Sequence, residues 1–150
     1  NPYYHEFLGE IYFFKGDYAN ALKKQKTAMN ILSKDNDLHL MMLGTYLLAE
    51  SSNESIIESI KVLNKSLFLN KYNSYSWYLL AKAYALNDNL PLAQYASAER
   101  YYLNGDRPLA LEFAKKAIKN IDKNTVEWYR TNDLIELILG IDEKNNKNRS

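Results

Sequence analysis

Leu8-Gly9-Glu10-Ile11-Tyr12, followed by Gly16-Asp17-Tyr18-Ala19-Asn20-Ala21 and then by Ala28, is the stretch that decides the fold. It reads as two helical segments joined by a Gly-Asp turn. The small residues Gly9, Ala21 and Ala28 stand where two helices must approach closely. The large residues Leu8, Tyr12, Tyr18 and Leu22 stand where they interlock. Gly16 supplies the turn, and Asp17 is placed to cap the second helix through its carboxylate. Apolar residues recur every three to four positions and nowhere alternate at period two, so the pattern is helical.

The spacings Leu-Gly-x-x-Tyr, Gly-x-Tyr-x-x-Ala and a further Ala seven on resemble the tetratricopeptide (TPR) repeat, a helix-turn-helix unit of about 34 residues. Leu43-Gly44 repeats Leu8-Gly9 with a step of 35, and Trp77, Leu80, Ala81 and Tyr84 restate the opening with a step of 37 from Gly44 to Ala81. Ala98 and Tyr101 then return after only 17 residues, half a repeat, and Gly105-Asp106 restates the turn ahead of Ala110, Ala114 and Ala117. The sixth helix is therefore expected to serve twice, as the second helix of one unit and the first of the next. That is possible where every helix of a stack packs on both neighbours.

The expected architecture is all-α, a TPR-like superhelix of about eight antiparallel helices in one domain over 1–142. The helices are expected over Tyr3–Lys15, Tyr18–Ser33, Leu38–Glu50 and Ser55–Asn70, with a capping box in Ser51-Ser52-Asn53-Glu54 and about three extra residues in the loop there. The sixth helix begins at Pro91. The eighth is a cap, with Asn124 as N-cap and Glu127 as its capping partner. Its Trp128, Leu134, Ile135 and Ile138 cover the last apolar seam, and Gly140 ends it. Residues 143–150 are polar, without periodicity, and are expected to be disordered.

Composition narrows the function. A net charge of +1 gives no case for nucleic acid, which needs a basic face. Without cysteine there is neither a disulfide framework nor a thiolate metal site. No run approaches the ~18 apolar residues of a membrane span. His5-Glu6 opens like the zinc motif HExxH, but Gly9 stands where the second histidine must be, and His39 is the only other histidine. The five glycines stand apart, so no phosphate loop forms, and no nucleophile sits beside a base. These residues hold no catalytic constellation, no metal site and no cofactor.

Recognition of a protein or peptide is what remains. By the TPR resemblance, the first helix of each unit lines a concave groove. The positions that point into it are Tyr3, Glu6, Glu10 and Phe13, then Met41 and Thr45, then Tyr78 and Lys82, with Phe14 and Leu48 beside them; for Tyr3, Phe13 and Phe14 the alternative is a place in the core. Chaperone-binding TPR domains hold Lys, Asn and Arg at some of these places to grip a carboxylate. Here only Lys82 is basic, which argues against such a clamp.

Three segments resemble something narrower. Pro2-Tyr3-Tyr4-His5-Glu6-Phe7-Leu8-Gly9, Trp77-x-x-Leu80-Ala81-x-Ala83-Tyr84 and Glu127-Trp128-Tyr129-Arg130-Thr131-Asn132-Asp133-Leu134-Ile135 are similar to the C-terminal TPR region of bacterial periplasmic zinc metalloproteases. The family is that of the beta-barrel-assembly-enhancing protease. The resemblance implies a periplasmic location and a zinc-bearing HExxH domain ahead of these residues. It also implies partners in the outer-membrane assembly machinery, its substrates or the protease domain itself. The competing expectation is a free-standing TPR adaptor or assembly chaperone with no protease attached.

Overall fold

The computed structural model describes residues Asn1 to Ser150 and contains eight helices and no strand. They are α1 (Pro2–Phe14), α2 (Tyr18–Ile31), α3 (Asp37–Glu50), α4 (Asn53–Leu69), α5 (Ser74–Leu86), α6 (Leu90–Leu103), α7 (Arg107–Ile118) and α8 (Val126–Arg149). Each begins at a side chain that accepts a backbone N–H of its own first turn: Asn1, Asp17, Asn36, Ser52, Asn73, Asn89, Asp106 and Thr125. These oxygens satisfy donors that no intrahelical carbonyl can reach. Gly16 and Gly105 take the left-handed conformation, φ +76° and +84°, that closes the α1–α2 and α6–α7 turns.

Several local expectations are corrected. The cap of α8 is Thr125, one residue later than Asn124, because Asn124 is held in the preceding turn by its N–H bond to Asp122 Oδ1. The α3–α4 connection is short, and the extra residues lie in α4, which has 17 residues against 14 in α2. Its capping network also differs. Ser51 is the left-handed C-cap of α3, Ser52 caps α4, and Glu50 rather than Glu54 accepts from Ser52 and Ser55. Those hydrogen bonds, Ser55's first, hold the Glu50 carboxyl below its usual range. Gly140 does not end α8, and the residues from 143, expected to be disordered, continue it as exposed helix to Arg149. Gly140 is not in the left-handed region, so nothing there turns the chain out of the helix.

Consecutive helices pack as antiparallel neighbours in a helical-repeat stack, with two apolar cores. The larger gathers Leu48, Leu63, Leu67, Trp77, Leu80, Ala83, Tyr84, Ala93, Tyr95 and Ala96 from α3 to α6, and Ala117 from α7. The smaller joins Ala98, Ala110 and Ala114 to Leu134 and Ile138 of α8. Thus α6 gives Ala93 and Ala96 to one core and Ala98 to the other. It packs on both α5 and α7, and α8 packs on α7 and α6. The half-step in the sequence is this double use of one helix.

Gly9 and Gly44 occupy matching places in the repeat but in different space. A Cβ on Gly44 would lie 2.7 Å from Cγ and Cδ2 of Leu63, which is fully buried and has nowhere to move. A Cβ on Gly9 would meet nothing closer than 3.5 Å. Alanine in a helix interior gains ~1 kcal/mol over glycine, whereas overpacking costs about 1–3 kcal/mol. Gly9→Ala should therefore keep or raise stability in a urea titration, and Gly44→Ala should lower it by about 1–2 kcal/mol. A stabilised Gly44→Ala variant would show that Leu63 yields.

Candidate functional site

The residues expected to line a groove separate into three groups. Met41 packs on the larger core and its sulfur accepts from Asn73 Nδ2 at 3.3 Å, while Thr45 is half-buried and its hydroxyl donates to Met41 O, one turn back in α3, at 3.0 Å. Tyr78 stacks on Tyr75 with centroids 5.7 Å apart, and the Arg100 guanidinium lies 4.7 Å over its ring. Lys82 is exposed beside this group in the chain, and Tyr3 is exposed near the start of α1.

Glu6, Glu10 and Phe13 form the third group, where α1 meets α3. Phe13 is half-buried, stacked on Tyr46 at 4.9 Å and tilted against Tyr18 at 5.7 Å, whereas Phe14 points to solvent. The Tyr46 ring passes over Gly9, whose missing side chain makes room for it, toward Glu6 and Glu10. A cavity of about 180 Å³ opens there, lined by Glu6, Glu10, Gln25, Leu38, His39, Met42 and Tyr46. Gln25 of α2 is buried and donates from Nε2 to His39 O at 3.3 Å. His39 Nε2 meets Glu6 Oε1 at 2.5 Å, so this histidine turns to a carboxylate of α1.

The Tyr46 hydroxyl is the unusual member. Tyr46 is fully buried, yet its oxygen has no hydrogen-bond partner. Burial first, then the charges of Glu10 and Glu6, push its pKa up to about 12, so it keeps its proton at neutral pH. By contrast, the buried Tyr84 hydroxyl accepts from Asn64 Nδ2 at 3.2 Å. An unpaired buried hydroxyl costs about 1–3 kcal/mol, so the cleft holds unspent hydrogen-bonding capacity. Two carboxylates, a phenol and an imidazole around one small space suit the N–H groups of an ammonium or guanidinium.

Sequence reasoning named Glu6 and Glu10 but passed over Gln25, Met42 and Tyr46. A signal for Tyr46 was present. In the first and third units a tyrosine stands three places after the small residue, as Gly9 to Tyr12 and Ala81 to Tyr84. In the second unit it stands two places after, Gly44 to Tyr46. One residue is about 100° around a helix, enough to redirect the ring from its own hairpin toward α1. Gln25 sits on the stripe of Ala21 and Ala28, a polar residue at a buried helical position.

No helix is long and apolar enough to cross a membrane. No group of three His, Cys, Asp or Glu side chains is arranged to hold a metal ion. No family model matches the chain, and no curated protein matches it.

Proposed function

We propose that this chain is a protein-interaction scaffold of TPR type, whose α1–α3 cleft receives a lysine or arginine side chain of a bound polypeptide. The observation that carries this reading is the Tyr46 hydroxyl, fully buried and unpartnered beside Glu6 and Glu10. A basic side chain supplies a donor to Glu10, which has none, adds to the one that His39 gives Glu6, and gives the phenol a neighbour to bond with. Phe13, behind Tyr46, positions the ring, and Tyr78 and Lys82 stand further along the stack to meet the rest of the partner. The setting we propose is periplasmic, beside a zinc metalloprotease domain. What supports it is the sequence likeness in Pro2–Gly9, Trp77–Tyr84 and Glu127–Ile135. Residues encoded ahead of Asn1 test that setting: HExxH with a third glutamate ligand supports it, and their absence favours a free-standing adaptor.

Calorimetric titration tests the cleft itself, with blocked peptides of about ten residues that differ only in a central lysine, arginine or glutamate. The basic peptides should bind and the glutamate peptide should not. Glu10→Gln should weaken binding roughly tenfold, as expected for a charge-assisted contact. Tyr46→Phe should weaken it severalfold while stabilising the free protein by about 1 kcal/mol or more, because it removes an unsatisfied hydroxyl. Equal binding of the basic and acidic peptides, or unchanged affinity in both variants, would remove the cleft from consideration.

A further inference from the structure

A second cavity, of about 370 Å³, opens at the other end of the stack, between α6, α8 and the α4–α5 turn. Its apolar lining is Trp77, Leu103, Leu134 and Leu137, with the rings of Tyr72 and Tyr102 beside them. The charged groups facing it are Lys71 from the turn, Glu99 from α6, and Arg130 and Asp133 from α8. A cleft of this size with apolar walls and few polar groups is the usual form of a ligand site.

The polar groups are unevenly satisfied. The Trp77 indole donates from Nε1 to Lys71 O at 2.8 Å, which fixes the turn as one wall. Lys71 Nζ lies 5.2 Å over the Tyr72 ring, and Arg130 Nη1 donates to the Tyr95 hydroxyl at 3.5 Å. Glu99 belongs to none of the four ion pairs and has no side-chain hydrogen bond, although it is largely removed from water. Burial pushes its carboxyl up to about 7, against the opposing pull of Arg130 and Lys71. Both cations act on the Glu99 carboxyl through their charge, but neither is ion-paired or hydrogen-bonded to it.

We infer that this cavity is a binding site for a lysine side chain of a polypeptide, separate from the α1–α3 cleft. The aliphatic stem lies along Trp77, Leu103 and Leu134, and the ammonium reaches Glu99 beside the ring of Tyr102, the Tyr72 ring being covered by Lys71. An ammonium answers both features at once, because it neutralises a buried carboxylate and is attracted to aromatic faces. The site is incomplete without α8, which contributes Arg130, Asp133, Leu134 and Leu137.

The test is a ¹H–¹⁵N correlation titration of the whole chain with a blocked lysine tripeptide and its norleucine and glutamate counterparts. Trp128→Phe identifies the Trp77 indole signal. The lysine peptide should shift the Trp77 indole and the Glu99, Tyr102 and Arg130 amides saturably, and the other two should not. Glu99→Gln should raise the dissociation constant read at these signals at least fivefold, while Glu6→Gln leaves it unchanged. Equal shifts from the norleucine or glutamate peptide, no shift from any, or an unchanged constant in Glu99→Gln would overturn the inference. Shifts confined to Glu6, Glu10 and Tyr46 would overturn it while leaving the α1–α3 cleft standing, and shifts confined to the Trp77 cavity would do the reverse.

Discussion

A chain ending at Asp122 should lose its cooperative melting transition or melt at least about 10 °C below the full chain, and should self-associate. The removed helix α8 buries Leu134, Ile138 and Thr131 and packs Trp128 on the larger core. Burial of two large aliphatic side chains alone contributes roughly 3–6 kcal/mol, a large part of the ~5–15 kcal/mol that holds a domain folded. Its loss would also uncover Ala98, Ala110 and Ala114 along α6 and α7, the apolar seam on which Leu134 and Ile138 pack. A second truncation, ending at Ile141, separates this from a general effect of shortening. Residues 142–149 are helical, and 142–150 are exposed throughout, so their removal should move the melting temperature by no more than about 2 °C. Calorimetry and light scattering on both proteins decide the matter. An unchanged melting temperature in the chain ending at Asp122 would show that α8 does not cap the stack.

Glu99→Gln should stabilise the protein at pH 8 by an amount that vanishes near pH 4. The Glu99 carboxyl rises from an ordinary 4.5 to about 7 on folding, chiefly through burial, with Arg130 and Lys71 opposing. The folded state therefore keeps this proton where the unfolded chain has released it. By linkage, the group's contribution falls as pH rises through that window, is absent below pH ~4.5, and reaches its full cost above pH ~7. The shift corresponds to a cost on the order of 2–3 kcal/mol at pH 8. Lys71 and Tyr72 from the turn, Tyr102 from α6, and Arg130 and Asp133 from α8 face the same space and are present in both proteins. Comparison of parent and variant across pH 4–8 by urea unfolding thus isolates Glu99. A stability difference independent of pH would mean that Glu99 titrates alike in the folded and unfolded chain, and no cost of burial would then bear on it.

Much of the candidate site was readable in part. Glu6 and Glu10 were named through the TPR resemblance, and they line the cavity where α1 meets α3. Phe13 and Met41 were on the right helices, yet their neighbours Tyr46 and Asn73 come from other helices, and these set how far each side chain is free. The cavity at Glu99 left no mark in the sequence, since Lys71, Glu99 and Arg130 are each about 30 residues from the next.

By itself, the sequence determined what depends on near neighbours. The eight helices follow from apolar residues three and four apart, because those positions share a helix face. Asp17 and the polar residues between segments mark where helices begin, because a side-chain oxygen two or three residues before a free N–H can cap it. The double use of α6 follows from alanines repeating at half the expected step. The tertiary structure alone decided whatever depends on which face meets which. It separated Gly44, pressed on Leu63, from Gly9, which has room. It turned the Tyr46 hydroxyl into a space with two carboxylates. It also ran α8 past Gly140, where a glycine that local rules read as a stop keeps helical geometry. Helix propensity acts over a few residues, whereas cavities and close contacts arise only when residues far apart in the chain are packed into one place.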